Sequence, residues 1–598
     1  MSGTRGFTAA RGPGQVPFEP SQPQATQDFK HPASREKRLF LVLPIFIGIL
    51  SGLLVVCFRI SIEWLRFGLM GKDLRAGYWR LIVVPAAVGL VVALLVEFVF
   101  PAARGSGINQ TKAAMYIHDG YISLRTMFGK FVCTALVLGG GYSLGPEDPS
   151  LQIGAAISST VSRRFRLSSE NLRLFAPVGA AAGLAAAFNA PITALLFVIE
   201  EVVGNWNASV LGSIVLAAIS GDAVSRWYFG DAPLFRVPTL EIRDPRELLA
   251  YGVLGVAGGL AALVFASALR QLRPRLAALP RWTRLAQPPL AGLLIGLIGF
   301  LGFPQVMGVG YETINQAIGG GMPWKLLLAL AALKMLATTL GFSSGTPGGM
   351  FAPTLFVGAM LGTAIGTLQQ AWLPHLTGPI GSYTLAGMGV LFAAFLRAPL
   401  TSVFMVLEVS GNYSIVAPVI LANTIAYLIA RRLDPIPIFE SFTRQDGLDL
   451  PSMDEKREEE RLRIEDALDI VREFSEEPME IPVLPASLPL CEAICEAEAS
   501  PLDQGTVVVQ FADGNGYALG SAELEKLGRM APPETAVGDL IPNERIPLLY
   551  PDMPLDVTLQ HFVRWPALLI RNRARVATVE GVLTEAAALA CFREPREE

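Results

Sequence analysis

The sequence predicts an all-α polytopic membrane protein built from two related halves, followed by a small α/β domain outside the membrane. Three observations carry that prediction. Only 17% of the 598 residues are charged, 52% are hydrophobic and the mean hydropathy is +0.44, whereas soluble domains carry about 25% charged residues. Apolar runs follow one another closely from Leu39 to about residue 433. Two stretches of that region also repeat each other in order.

The elements follow along the chain. Residues 1–35 are rich in Gly, Pro, Gln, Ser and Thr without hydrophobic periodicity and read as a disordered tail. No signal peptide is evident, because the first apolar run begins only after the basic "SREKR". That run, "LFLVLPIFIGILSGLLVVCF", is long enough to span a bilayer. Its basic flank predicts a cytoplasmic N-terminus, and Arg270, Arg273, Arg275, Arg281 and Arg284 place a later loop on the same side. Segments such as "LIVVPAAVGLVVALLVEFVF" are continuous, while those around Glu147 and at "SSGTPGGMFAPTLFVG" are broken by glycine and proline. Broken segments persist at membrane depth only when buried in protein or facing a wet cavity. After "RRLDPIP" the composition changes, and "DEKREEERLRIEDALDIVREFSEEP" reads as a charged helical linker into a soluble region ending at Glu598. The predicted organisation is a tail over 1–35, a transmembrane domain over 36–448 and a cytoplasmic domain over 449–598.

Charge and cysteine content exclude several function classes. The net charge of −4 is too small to imply a nucleic-acid partner. Five cysteines form no CxxC pair and the four histidines are scattered, so neither a disulfide framework nor a zinc site is suggested. No HExxH, nucleophile elbow or nucleophile–base pairing points to an enzyme.

The repeat locates the region where chemistry is expected. "FGKFVCTALVLGGGYSLGPEDPSLQIG" matches "ALKMLATTLGFSSGTPGGMFAPTLFVG", aligning Lys130 with Lys334, Pro149 with Pro353 and Gly154 with Gly358. "FNAPITALLFVIEEV" matches "FLRAPLTSVFMVLEVS", pairing Pro191 with Pro399 and Glu200 with Glu408, and "GSGINQ" lines up with "GVGYET". Corresponding broken segments in two homologous halves are the mark of a transporter with its site at the repeat interface.

In "GSGIN", two glycines around Ser106 allow a tight turn, leave amides uncovered and place a hydroxyl at a helix start. Orphan amides, a positive dipole end and one hydroxyl suit an anion, although an ordinary N-cap carries the same residues. "GTPGGMFAP" offers a second such start. In "GPEDPS", Pro146 suits a helix entry and puts Glu147 in the first turn, where its carboxylate meets the field that would hold an external anion. Glu147 and Asp148 could equally stabilise a helix end at an aqueous surface, but ionisable groups within an apolar, repeat-related segment are costly and favour function. Of Glu200 and Glu201, at most one faces a given pathway, since neighbours on a helix diverge by about 100°. Glu200 has a repeat partner and reads as structural; Glu201 has none and is the functional candidate. Lys130 and Lys334 read as snorkelling or satisfying carbonyls within the bundle rather than binding substrate.

Taken in order and spacing, "GSGI", "GPEDPSLQIG", "AAGLAAAFNAPITALLFVIEE" and "GGMFAP" resemble the CLC family of chloride channels and chloride/proton exchangers over about residues 36–445. The resemblance implies a homodimer in which each subunit has its own pore, built from tilted and broken helices in two inverted halves. Chloride and protons are then the substrates, and no cofactor is implied. It further implies that Ser106 coordinates chloride with the neighbouring amides of Gly107 and Ile108. The amides near Gly349, Met350 and Phe351 would complete the anion site. Glu147 becomes the external gate and Glu201 the internal proton-transfer residue. Channel members of the family commonly lack a carboxylate at the Glu201 position, which favours exchange over passive conduction.

This sequence departs from the family pattern in four places. Pro146 and Asp148 replace the arginine and glycine around the gate, Asn109 replaces a proline, and Phe439 stands where the family places a chloride-coordinating tyrosine. Phe439 can close the inner side of the site as an apolar wall but cannot donate a hydrogen bond. The C-terminal region resembles paired CBS domains. Its "GVLTEAAAL" keeps Thr584 but has Ala587 where nucleotide-binding versions carry an aspartate, so its residues do not support an adenine-nucleotide site. A structural, dimer-stabilising role is the reading taken.

Overall fold

The structure, a computed structural model, describes residues 32–448 except 72–76, 168, 205–207, 236–245 and 375–376. Beyond these it describes 462–468, 483–499, 507–511, 516–541, 549–562, 567–571 and 579–593. Most of the expected N-terminal tail and of the charged linker lies outside the described residues. The first helix, Pro32–Met70, takes in the last residues assigned to the tail. The chain divides into two compact units, one ending at Leu448 and one starting at Asp449.

Every regular element of the first unit among its described residues is a helix, apart from one isolated β-bridge between Gly145 and Gly349. Seven of its helices are long and apolar enough to cross a membrane, from Leu41–Met70 to Tyr413–Gln445, and four shorter apolar helices accompany them. On the helix Glu247–Ala277, Leu249, Val253, Val256, Leu260 and Val264 are exposed at three- and four-residue spacing. Such a stripe is an aggregation hazard in water and an ordinary lipid-facing surface in a bilayer.

Each half is organised on one tightly packed helix pair. Glu147–Arg164 packs on Ser169–Phe188, and Phe351–Trp372 packs on Ile380–Leu396. The approach is close because glycines meet: a Cβ on Gly154 or Gly179 would collide with the other's backbone, and Gly358 and Gly387 stand in the same relation. Small residues at helix crossings supply dispersion contacts that lipid cannot outcompete. The sequence repeat of Gly154 and Gly358 therefore has a packing cause.

Contacts between the halves are reciprocal. Gly145 donates to the Gly349 carbonyl at 2.8 Å and Gly349 to the Gly145 carbonyl at 2.7 Å. Glu200 accepts from the amides of Leu400 and Thr401 at 3.2 and 2.9 Å, capping the helix Pro399–Ser410. Glu408 accepts from Ile192 and Thr193 at 2.9 and 2.7 Å, capping Pro191–Phe197. Residue i meeting j while the equivalent of j meets the equivalent of i is the relation a local two-fold axis imposes. The structural reading of Glu200 and Glu408 has this geometry behind it.

The second unit holds two small α/β lobes. In one, β1 (Val483–Pro485) pairs in parallel with β2 (Val507–Gln510), which pairs antiparallel with β3 (Gly516–Leu519). In the other, β4 (Ala567–Arg571) and β5 (Val579–Thr584) pair antiparallel, with Leu568 opposite Leu583. Each lobe has its own apolar core, one around Val507, Val509 and Leu490, the other around Leu568, Ile570 and Leu583. The described part of the expected linker is not a solvated helix throughout. Ile464, Ala467 and Leu468 are buried in the second core, because they are the apolar positions of an otherwise charged stretch.

Candidate functional site

The site grows from two glycine-opened helix starts. Gly107 takes φ of +115° ahead of the helix Ile108–Tyr116, and Gly310 takes +90° ahead of Tyr311–Ile318. Only glycine adopts this left-handed turn without steric cost. The loop before each start is held by a buried lysine. Lys130 donates to the Gly105 carbonyl at 2.8 Å, and its counterpart Lys334 donates to Gly308 and Val306 at 2.6 and 2.9 Å. Both ammonium groups are thus spent on carbonyls, one of the two alternatives the sequence leaves open.

Ser106 is buried, and its hydroxyl accepts from the Ile108 amide at 3.3 Å. The turn abuts the Glu147 helix: a Cβ on Gly107 would come within 2.9 Å of the Asp148 carbonyl and 3.0 Å of the Gln152 side chain. Gln152 is fully buried, and neither end of its amide has a hydrogen-bond partner in the structure. An unpaired buried amide is costly, so its place beside Gly107 marks it as part of the site. Nothing in the spacing of the sequence singled it out.

Glu147 and Asp148 are both fully buried, so neither merely decorates an aqueous helix end. Glu147 accepts a hydrogen bond from the Tyr311 hydroxyl. Its other oxygen, Oε2, is unpartnered and lies where a Cβ on Gly145 would sit, a position also 3.2 Å from the Ala352 amide nitrogen. The carboxylate therefore occupies the start of the helix Phe351–Trp372, the second predicted anion-attracting end. Asp148 Oδ2 accepts from the Met350 amide at 3.2 Å, while Oδ1 has no partner. Gly349 permits this, since a Cβ there would come within 2.7 Å of the Asp148 carboxylate.

These bonds engage two of the second half's amides. Gly349 spends its amide on the Gly145 carbonyl and Met350 on Asp148, because the extra acid reaches over a residue with no side chain. Phe351 keeps an amide with no partner among the described residues. Its ring packs against those of Phe197, Phe392 and Phe188 at centroid distances of 4.6, 5.1 and 5.6 Å, which walls the region with apolar surface.

Two further contacts radiate from the Ser106 helix. Asn109 donates to the Phe439 carbonyl at 3.1 Å, so the residue replacing a proline tethers the helix Ile438–Gln445, at whose start the buried Phe439 lies. Lys112 forms an ion pair with Glu201 in which the side chains are only 12% and 6% exposed. Glu201 stands in a π-helical turn, Val198–Val203, that continues the short helix Pro191–Phe197. Adjacent glutamates are thereby sent apart, Glu200 to the other half and Glu201 to Lys112. Lys112 and Tyr311 escaped sequence reasoning. Their only signals were a lone cation in a short neutral helix and an aromatic hydroxyl at a repeat-equivalent helix start.

A helical membrane bundle whose halves aim glycine-opened helix starts and buried carboxylates at one interior region is built to pass an anion rather than to catalyse a covalent reaction. The family described as "Voltage gated chloride channel" matches residues 88–431. A putative chloride channel protein ClcB-like of Ralstonia nicotianae is 32% identical, the match covering 68% of this chain and 97% of that protein. The H(+)/Cl(-) exchange transporter ClcA of Salmonella newport is also 32% identical, over 67% of this chain and 87% of that one. Among solved structures, a slow cyanobacterial Cl-/H+ antiporter aligns with a TM-score of 0.63 at 24% identity, over 68% of this chain and 97% of that chain. A eukaryotic CLC transporter aligns at 0.60 and 19% identity, over 92% and 98%. The chain belongs to the CLC family and is a multi-pass integral membrane transport protein, not an enzyme.

Proposed function

We propose that this protein exchanges chloride for protons across the membrane, with Glu147 as external gate and Glu201 as internal proton-transfer residue. The observation that carries the reading is the seat of Glu147: a buried carboxylate at the start of the Phe351 helix, where a free anion would also be drawn. Ionised, it competes with chloride for that place. Protonated, it loses the attraction and can swing away with its proton. Chloride in this scheme is held by the Ser106 hydroxyl, the Gly107 amide and the Phe351 amide, joined by the Ile108 amide when the ion displaces its bond to the Ser106 hydroxyl, with Phe439 as inner wall. Partial charges bind and release an anion quickly, whereas a full cation would hold it. Both lysines near the site are committed to carbonyls, which supports that division of labour. Two relatives named above as a Cl-/H+ antiporter and an H(+)/Cl(-) exchange transporter support the antiport reading. The protein would work as a homodimer with a pore in each subunit and both termini in the cytoplasm. The C-terminal unit would be a CBS-like, dimer-stabilising module.

One observation favours passive conduction instead: Lys112 holds in a buried ion pair the same Glu201 carboxylate that exchange assigns to proton transfer. The reversal potential of purified protein in liposomes, under combined chloride and pH gradients, decides between the two. Exchange moves the reversal potential with pH; a Nernstian chloride potential indifferent to pH means a channel.

A further inference from the structure

The hydroxyl that Phe439 lacks on the inner side reappears on the outer side. Tyr311 is partly buried, follows the left-handed Gly310 directly and donates its hydroxyl to Glu147. The repeat aligns it with Ile108, so it is the second half's counterpart of the anion-binding helix start. Its position is tightly built. Lys334 clamps the preceding carbonyls at Val306 and Gly308, and its ammonium lies 4.7 Å from the centre of the Phe356 ring. A Cβ on Gly310 would collide with that ring, 2.5 Å from Cδ2 and 2.9 Å from Cε2, so only glycine fits the turn that presents Tyr311. The Tyr311 ring also meets Phe235 edge-on at 5.9 Å.

Among the described residues the hydrogen-bond acceptor recorded for this phenol is Glu147, whose carboxylate occupies a place at a helix start that attracts anions. We infer that Tyr311 is a shared donor: its hydroxyl holds the ionised Glu147 carboxylate in the pathway, and binds chloride as an outer ligand once the carboxylate has left. This deepens the gate reading of Glu147 and rests on it. The exchange involves no covalent step. The hydroxyl keeps its proton throughout and only its acceptor changes, from carboxylate oxygen to chloride. Three charged side chains act on the pair: Asp148, next to Glu147 on the same helix, Lys334 on the helix Trp324–Ser343, and Arg59 on the helix Pro32–Met70. None of them is changed by the test below.

The experiment compares the full-length wild type, Tyr311→Phe, Glu147→Gln and the double variant, purified and reconstituted. Chloride affinity is read by calorimetry and chloride flux as a function of external pH. Removing one hydrogen bond from a desolvated anion weakens it roughly tenfold. In the Glu147→Gln background, where the gate is neutral, Tyr311→Phe should therefore raise the chloride dissociation constant about tenfold. With Glu147 intact, the same change withdraws a donor from the ionised carboxylate, so chloride flux should rise at a less acidic pH than in the wild type. The double variant removes the carboxylate together with the hydroxyl that holds it, so it remains informative if Tyr311→Phe alone folds poorly. An unchanged chloride affinity in the double variant relative to Glu147→Gln overturns the inference. If Glu147→Gln by itself keeps proton-coupled, pH-dependent exchange, it is the gate reading that fails.

Discussion

The two halves of the membrane unit agree at some positions and differ at others. They agree at Lys130 and Lys334, Gly154 and Gly358, Gly145 and Gly349, and Glu200 and Glu408. Each of these satisfies a carbonyl, lets two helices touch, bridges the halves or caps a helix across the interface. They differ where Ser106 faces Val309, Ile108 faces Tyr311, Glu147 faces Phe351 and Glu201 faces Val409. At each differing pair one residue carries a hydroxyl or a carboxylate and the other does not. Symmetry in this molecule is scaffolding, and polar chemistry sits where symmetry is broken. The physical reason is that a two-fold pair of identical polar sites would place like charges or surplus donors together at the centre of the fold.

That comparison can be broken at several points. The largest effect is expected at Glu147, the carboxylate that Phe351 replaces in the other half. Glu147→Gln should reduce proton transport to background and leave chloride flux insensitive to pH, as read by pH-electrode and chloride-efflux assays. Proton-coupled exchange surviving in this variant would falsify the assignment. Next comes Glu201. Glu201→Gln should abolish chloride-driven proton uptake in liposomes while chloride flux persists; loss of both fluxes in a folded protein would make Glu201 another scaffold residue.

A smaller effect is expected at Ser106, which has only Val309 as counterpart. Ser106→Ala should weaken chloride binding about tenfold in calorimetry, the loss expected for one hydrogen bond to an anion. Lys130→Met, acting on scaffold, should leave chloride affinity unchanged in whatever protein folds, and the opposite pattern would invert the division drawn here. The smallest effects concern the caps. Glu200→Gln and Glu408→Gln each weaken a carboxylate that holds two amides and a threonine hydroxyl. Each should cost about 1–3 kcal/mol of stability in detergent unfolding titrations. Near-equal losses are the outcome that symmetry demands, and a clearly unequal pair would show that one of them also serves transport.

Much of the scaffold was legible from the chain alone. The helix starts at Ile108, Glu147 and Phe351 follow from local glycines and prolines, and the repeat paired Glu200 with Glu408 before their caps were visible. The site was legible only in part. Ser106, Glu147 and Glu201 stand out because each is a polar group in a run where polarity is costly. The partner of the Met350 amide was not legible, because an amide at a helix start goes to whichever acceptor reaches it first. Here that is Asp148, whose reach depends on the bare Cα of Gly349.

The sequence by itself determined the membrane character, the two-half organisation and the places where helices begin. These depend on composition and on backbone preferences acting over a few residues. The tertiary structure decided which groups pair: Tyr311 with Glu147, Lys112 with Glu201 and Asn109 with Phe439, separated by 164, 89 and 330 residues. Such pairings have no local signature. Each is chosen by helix packing distances of a few ångströms and by competition among neighbouring donors and acceptors, which exist only once the halves have closed on each other.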